Sequence, residues 1–148
     1  MVFCLEPWPP NLVRTDDDLL RMLDAVGDAR MRVNFDGGNL WGAGCDSVAA
    51  ARRLAPLVGH VHVKDWDRSA APETPMWQPG PGDGPKPPNP VRGEVVLGEG
   101  EVDWPEILRI LRGAGYDGWL VVERNSSKTR EDDARIAVAR LKSMLQKA

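Results

Sequence analysis

Glu6, Asp36, His62 and Glu123 each stand at or near the end of a short apolar run, three carboxylates and one imidazole in all. Such a set suits a hard divalent cation, Mn²⁺, Mg²⁺ or Co²⁺, better than a thiolate-type zinc centre, although Zn²⁺ is compatible with it. An acid at one strand end is ordinarily solvated and inert, so the force of the pattern lies in its fourfold repetition. His60 and His62, the only histidines of the chain, fall together in Gly59-His60-Val61-His62-Val63-Lys64-Asp65. Alternation there places both imidazoles on one face of a strand and the valines on the other. A single histidine in such a strand most often bonds to backbone and does nothing more; company at the neighbouring strand ends changes that. No Cys-x-x-Cys, His-Glu-x-x-His or Walker-type phosphate loop competes for the chemistry.

The elements that must carry these residues alternate. Val2 to Leu5 is an apolar run stopped by Glu6-Pro7-Trp8-Pro9-Pro10. Thr15 reads as an N-cap ahead of Asp16, Asp17 and Asp18, with Leu19, Leu20, Leu23 and Val26 at helical spacing and Gly27 as the stop. Met31 to Phe35 is a second strand; Asp36-Gly37-Gly38-Asn39 after it predicts a tight turn with positive φ at glycine. Asp46 caps a helix through Leu57, and the histidine strand follows at once. Residues 66–93 break the pattern with a Pro/Gly-rich loop, either a lid or a solvated insertion. Val95 to Glu99 leads to a capping-box pattern at Asp103-Trp104-Pro105-Glu106 and a helix on Ile107, Leu108, Ile110 and Leu111. Trp119 to Val122 is the last strand, and a helix over 129–146 is expected to bury Ile136, Val138, Leu141 and Leu145. Four strand-helix units with apolar strands predict an α/β fold with a parallel sheet, in a single domain over 1–148. Ligands then gather at the carboxyl ends of the strands.

The totals agree and narrow the classes. A chain of 148 residues suffices for one domain but is short for a closed (β/α)8 barrel. A net charge of −3 gives no basic footprint for nucleic acid. Cys4 and Cys45 are too few for a disulfide framework and read as reduced, small buried hydrophobes. With no basic n-region at the start and no apolar run near 20 residues, a cytoplasmic protein without membrane partners is expected.

Several of these stretches carry a resemblance. Asn34-Phe35-Asp36-Gly37-Gly38-Asn39-Leu40, His60-Val61-His62-Val63-Lys64-Asp65, Leu97-Gly98-Glu99-Gly100-Glu101-Val102-Asp103-Trp104 and Gly115 to Glu123 are similar to signatures of the sugar phosphate isomerase/epimerase family. These are the xylose-isomerase-like TIM barrels that also include endonuclease IV. The resemblance implies that Glu6, Asp36, His62 and Glu123 bind one divalent metal, with Glu6 and Glu123 as acid and base in an isomerase or epimerase working through an enediolate on a small ketose or polyol. An inositol-catabolism-type dehydratase on the same site is the alternative. Trp8, Asn39, His60, Lys64 and Arg68 are candidates for substrate contact, Lys64 alternatively pairing with Asp65. Asn39 stands where the epimerases and the nuclease carry histidine, so a three-metal nuclease site is not expected. Only the last four strand-helix units of the family barrel are matched, the C-terminal half. A homodimer, a complementary half-barrel chain or a longer gene product would complete it. Outside enzymes, a non-catalytic half barrel keeping the ligands by descent, or a sugar-binding module built on Trp8, Trp41 and Trp66, would account for the same residues.

Overall fold

A computed structural model describes residues 1–9, 11–70, 93–125 and 127–147. The apolar runs form β1 (Phe3–Leu5), β2 (Met31–Asp36), β3 (Val58–Val63) and β6 (Leu120–Val122), all parallel in the order β1-β2-β3-β6. Between them run α1 (Asp16–Val26), α2 (Gly37–Gly42), α3 (Ser47–Leu54) and α4 (Trp104–Gly113), with α5 (Arg130–Leu145) last. Two short strands, β4 (Asp65–Trp66) and β5 (Glu94–Val95), pair antiparallel just beyond β3. They bring together the two ends of the Pro/Gly-rich loop, most of which (71–92) lies outside the described residues. This is the parallel (β/α) architecture of part of a TIM barrel. No helix among the described residues is long and apolar enough to cross a membrane.

Period-2 alternation divides the sheet. Val33, Phe35, Val61 and Val63 turn toward the helices and are almost wholly buried with Leu19, Leu54, Trp104, Ile107 and Leu111. Asn34, Asp36, His60 and His62 turn to the concave face, where they pair as Asn34 with His60 and Asp36 with His62. That pairing depends on a one-residue step in register. Val33 lies opposite Val58, yet Asn34 lies opposite His60, so Gly59 is an extra residue on β3. Were Gly59 instead paired in the ladder, Asp36 would face Val61, and the histidines would share the face of Phe35. Only glycine fits the step: a Cβ there would come within 2.8 Å of the Arg32 Cβ and 3.0 Å of the Cys4 Sγ.

Capping chemistry sets the helix starts. Thr15 and Asp18 form a reciprocal capping box on α1, Asp46 accepts from the Val48 and Ala49 N–H groups, and Asp103 accepts from that of Glu106. At Gly37-Gly38 the structure differs from expectation. Neither glycine has positive φ; both begin α2, capped by Asp36. They are small because neighbours are close: a Cβ on Gly38 would lie 2.8 Å from the Lys64 carbonyl oxygen, and one on Gly37 3.1 Å from the Trp104 ring. The third helix also stops sooner, at Leu54, and a 3-10 turn over Ala55–Leu57, with Pro56 in its first turn, follows.

Three burial expectations are overturned. Along α5 the buried positions are Asp133, Ala137 and Leu141, a four-residue row that leaves Ile136, Val138 and Leu145 exposed. Trp119, expected in the core, is 80% exposed, because it precedes β6 at the open amino-terminal end of the sheet. Cys4 is exposed on the concave side of the edge strand β1, and Cys45 is half-buried.

Candidate metal centre

The strand ends converge. Glu6 follows β1, Asp36 closes β2, His62 is the penultimate residue of β3 and Glu123 follows β6. One donor atom from each lies within 4.8 Å of the others. His62 sits between the two glutamates, its Nδ1 2.8 Å from Glu123 Oε2 and 3.3 Å from Glu6 Oε1. Asp36 is wholly buried; its Oδ1 accepts the Asn39 N–H at 2.8 Å, a bond that comes from capping α2. The Glu123 N–H donates to the Val63 carbonyl at 3.1 Å, extending the ladder one residue past β6 and fixing where that carboxylate starts.

Asparagines hold the far sides of these groups. The Asn39 amide donates to Glu6 Oε1 at 3.0 Å and accepts from the Lys64 ammonium at 3.1 Å. Asn34 donates to Glu6 Oε2 at 3.4 Å, and Asn125 donates to Glu123 Oε1. Lys64, also wholly buried, lies 3.2 Å from both Asp36 Oδ2 and Glu123 Oε2, with the Trp8 ring 5.1 Å from its nitrogen. Lys64 therefore pairs with the cluster and not with Asp65.

Charge is crowded here, and the proton affinities show it. The Glu123 and Glu6 carboxylates raise His62 to about 10, against the effect of its burial. Burial alone would raise Glu123, but the His62 imidazole, the Lys64 ammonium and the Asn125 amide take it down to about 2. Burial raises Asp36 despite Lys64 and the Asn39 N–H. His60 is lowered by burial and then by its neighbour His62.

The residues fit a divalent cation. Asp36 Oδ2 and Glu123 Oε2 are buried and receive no hydrogen bond of proper geometry among the described residues, though cationic groups stand close to both. Buried carboxylate oxygens without directed partners are costly unless something else completes them. Three carboxylates and an imidazole around one point are the donors that Mg²⁺, Mn²⁺ or Zn²⁺ accepts.

Not every candidate joins the cluster. Trp8, Asn39 and Lys64 do. His60 lies one inward-facing position deeper on β3, its ring edge-on to His62 at 5.3 Å. Arg68 is placed elsewhere: its guanidinium stacks on Trp41 at 3.9 Å and donates to the Trp41 and Cys45 carbonyls. Trp66 is 3% exposed and pressed against Gly42, so Trp8, Trp41 and Trp66 form no common platform for a sugar. Asn34 and Asn125 went unnoticed in the sequence. Asn34 was legible, two residues before Asp36 on the same strand face; Asn125 follows its strand with no periodic signal.

The family model of the xylose isomerase-like TIM barrel matches residues 1–144. The chain belongs to that family. It is 37% identical over 134 residues to the rhizopine catabolism protein MocC of Rhizobium meliloti, covering 76% of this chain and 33% of that one. It is 28% identical over 127 residues to the inosose dehydratase of Klebsiella pneumoniae, covering 83% and 40%. The chain thus spans well under half the length of these two relatives. A xylose isomerase domain protein from Planctomyces limnophilus superposes with a TM-score of 0.69 at 26% identity, over 99% of this chain and 46% of that one. The fold is shared as well with the IOLI protein, described with a bound zinc atom (TM-score 0.71, 15% identity, 99% and 50% covered), and with a Mycobacterium smegmatis protein in complex with magnesium (0.70, 19%, 97% and 44%).

Proposed function

We propose that this chain carries the metal-and-carboxylate half of a divalent-metal-dependent sugar isomerase or epimerase, with Glu6, Asp36, His62 and Glu123 as the ligands. The observation that supports this most is the gathering of those four donor atoms at one rim, with two oxygens left without hydrogen bonds. When bound, the ion supplies Lewis-acid polarisation of a carbonyl and its neighbouring hydroxyl oxygen. The chain's own residues do the rest. Glu6 and Glu123, on the two edge strands with His62 between them, flank the place where the reacting carbon would lie. One removes the proton next to the carbonyl, leaving an enediolate, and the other returns it to a neighbouring carbon or to the opposite face. Asn39 and Asn34 orient Glu6, Asn125 orients Glu123, and Trp8 covers Lys64 beside them.

A second reading is a dehydratase acting on a small polyol ketone, favoured by the inosose dehydratase among the relatives. Removal of the same proton would then be followed by loss of a β-hydroxyl rather than reprotonation. Both readings predict Mn²⁺-dependent exchange of a carbon-bound hydrogen with D₂O, followed by NMR across a panel of ketoses and inososes. Double-bond formation would mark the dehydratase. Exchange that persists undiminished in Glu123→Gln would end the acid/base assignment.

Among the described residues β1 and β6 each pair on one side only, and Phe3 and Val121 on them are exposed. We propose that further parallel strands complete the barrel, from a second copy or from another polypeptide segment. Sedimentation showing a well-folded monomer of this chain at micromolar concentration would count against the second copy.

A further inference from the structure

Lys64 brings a positive charge into the donor set itself. Its nitrogen is 3.2 Å from Asp36 Oδ2 and 3.2 Å from Glu123 Oε2, inside a side chain with no solvent exposure. These two oxygens are the ones an ion would need. Asp36 Oδ1 is taken by the Asn39 N–H and Glu123 Oε1 by the Asn125 amide. The approach of Lys64 to them is charge against charge without hydrogen-bond geometry, whereas its bond to Asn39 Oδ1, at 3.1 Å, is directed. On its other side lies the face of Trp8. An ammonium and a divalent cation drawn to the same buried oxygens repel each other strongly, since little water screens them.

We propose that Lys64 is a resident counter-cation: it holds the Asp36 and Glu123 carboxylates in place in the metal-free protein, and the incoming ion displaces it from them. The inference rests on the metal-site reading above. It follows that Lys64 lowers metal affinity although it belongs to the site. Once displaced, the ammonium keeps Asn39 Oδ1 and the Trp8 ring and turns its remaining N–H groups toward the cleft.

The test uses Mn²⁺ alone, titrated calorimetrically into the wild-type chain and into Lys64→Met, a side chain of similar length without charge, each checked for folding by circular dichroism. Lys64→Met is expected to bind Mn²⁺ about tenfold tighter or more, within the usual span of coupling between two sites. Equal or weaker binding by Lys64→Met, with wild-type binding intact, overturns the proposal and leaves the metal site standing. No binding by either protein overturns the metal reading itself, and the proposal with it. A measurement on the wild type alone covers failure of the variant to fold. Mn²⁺ is expected to speed acetylation of Lys64, followed by mass spectrometry, and an unchanged or slower rate overturns the proposal.

Discussion

Asp36 and Asp65 are both buried aspartates at the carboxyl end of the sheet, 0% and 2% exposed. Their surroundings give them opposite work. Asp65 accepts from four backbone N–H groups: Trp66 and Val102 on one oxygen, Gly98 and Gly100 on the other. It ties β4 to the turn that leads into α4, and a Cβ on Gly100 would collide with its carboxylate. Asp36 has one backbone donor on one oxygen and nothing directed on the other. A carboxylate saturated by backbone builds the fold. One left half-satisfied among other charges is poised for a ligand.

Breaking each aspartate in turn should separate stability from binding. Replacing Asp65 by Ala leaves four N–H groups without their acceptor in a buried place, and is expected to cost about 3–5 kcal/mol in denaturant unfolding. Next in size, Asp36→Asn keeps a side-chain oxygen to cap α2 but removes a charge from the proposed metal site. Mn²⁺ affinity should fall by about 100-fold or more by calorimetry, with a loss of unfolding free energy smaller than that of Asp65→Ala; a larger loss than Asp65→Ala would erase the contrast. Asn39→Ala touches the cluster only through its neighbours, Glu6 and Lys64, and should lower Mn²⁺ affinity about tenfold. Asp46 sharpens the other side of the comparison. It too accepts from backbone N–H groups, of Val48 and Ala49, but at an exposed helix start. Asp46→Ala should cost about 1 kcal/mol, a shift of about 2–4 °C in Tm for a chain of this size.

How far such contrasts could be read in advance depended on the signal each residue left. The convergence of four strand-end side chains, here proposed as ligands, was legible because the strands are short apolar runs cut off by proline, glycine or charge, so the residues at or near each end are named by the pattern itself. The family resemblance fixed the architecture that joins them, and the match over residues 1–144 agrees. Asp65 was not legible as a structural residue. Its four donors are backbone groups more than 30 positions away for three of them, and backbone donors leave no trace in residue type. Gly37 and Gly38 were read through turn chemistry when the cause was the proximity of Trp104 and Lys64 from distant segments. Arg68 has the right type and a plausible position, yet Trp41 and two carbonyls captured it. On α5, three apolar residues off the packed face misled a reading based on hydrophobicity alone, because Asp133, bonded to Arg124, holds part of the buried row.

Gly59 gives the molecule an unusual kind of vulnerability. The strand's chemistry is kept on the concave side by a bulge, since pairing its surplus residue in the ladder would set Val61 against Asp36 and turn His62 to the far face. Point changes at His62 remove one side chain of the proposed metal site and spare the rest. A side chain at position 59 would instead crowd Arg32 and Cys4, and if the strand then took residue 59 into the ladder, both imidazoles would turn toward the helices and two valines into the polar cleft. In this fold a single added Cβ threatens the inversion of a surface, so the unpaired glycine between Val58 and His60 is as strict a requirement as any side chain in the centre.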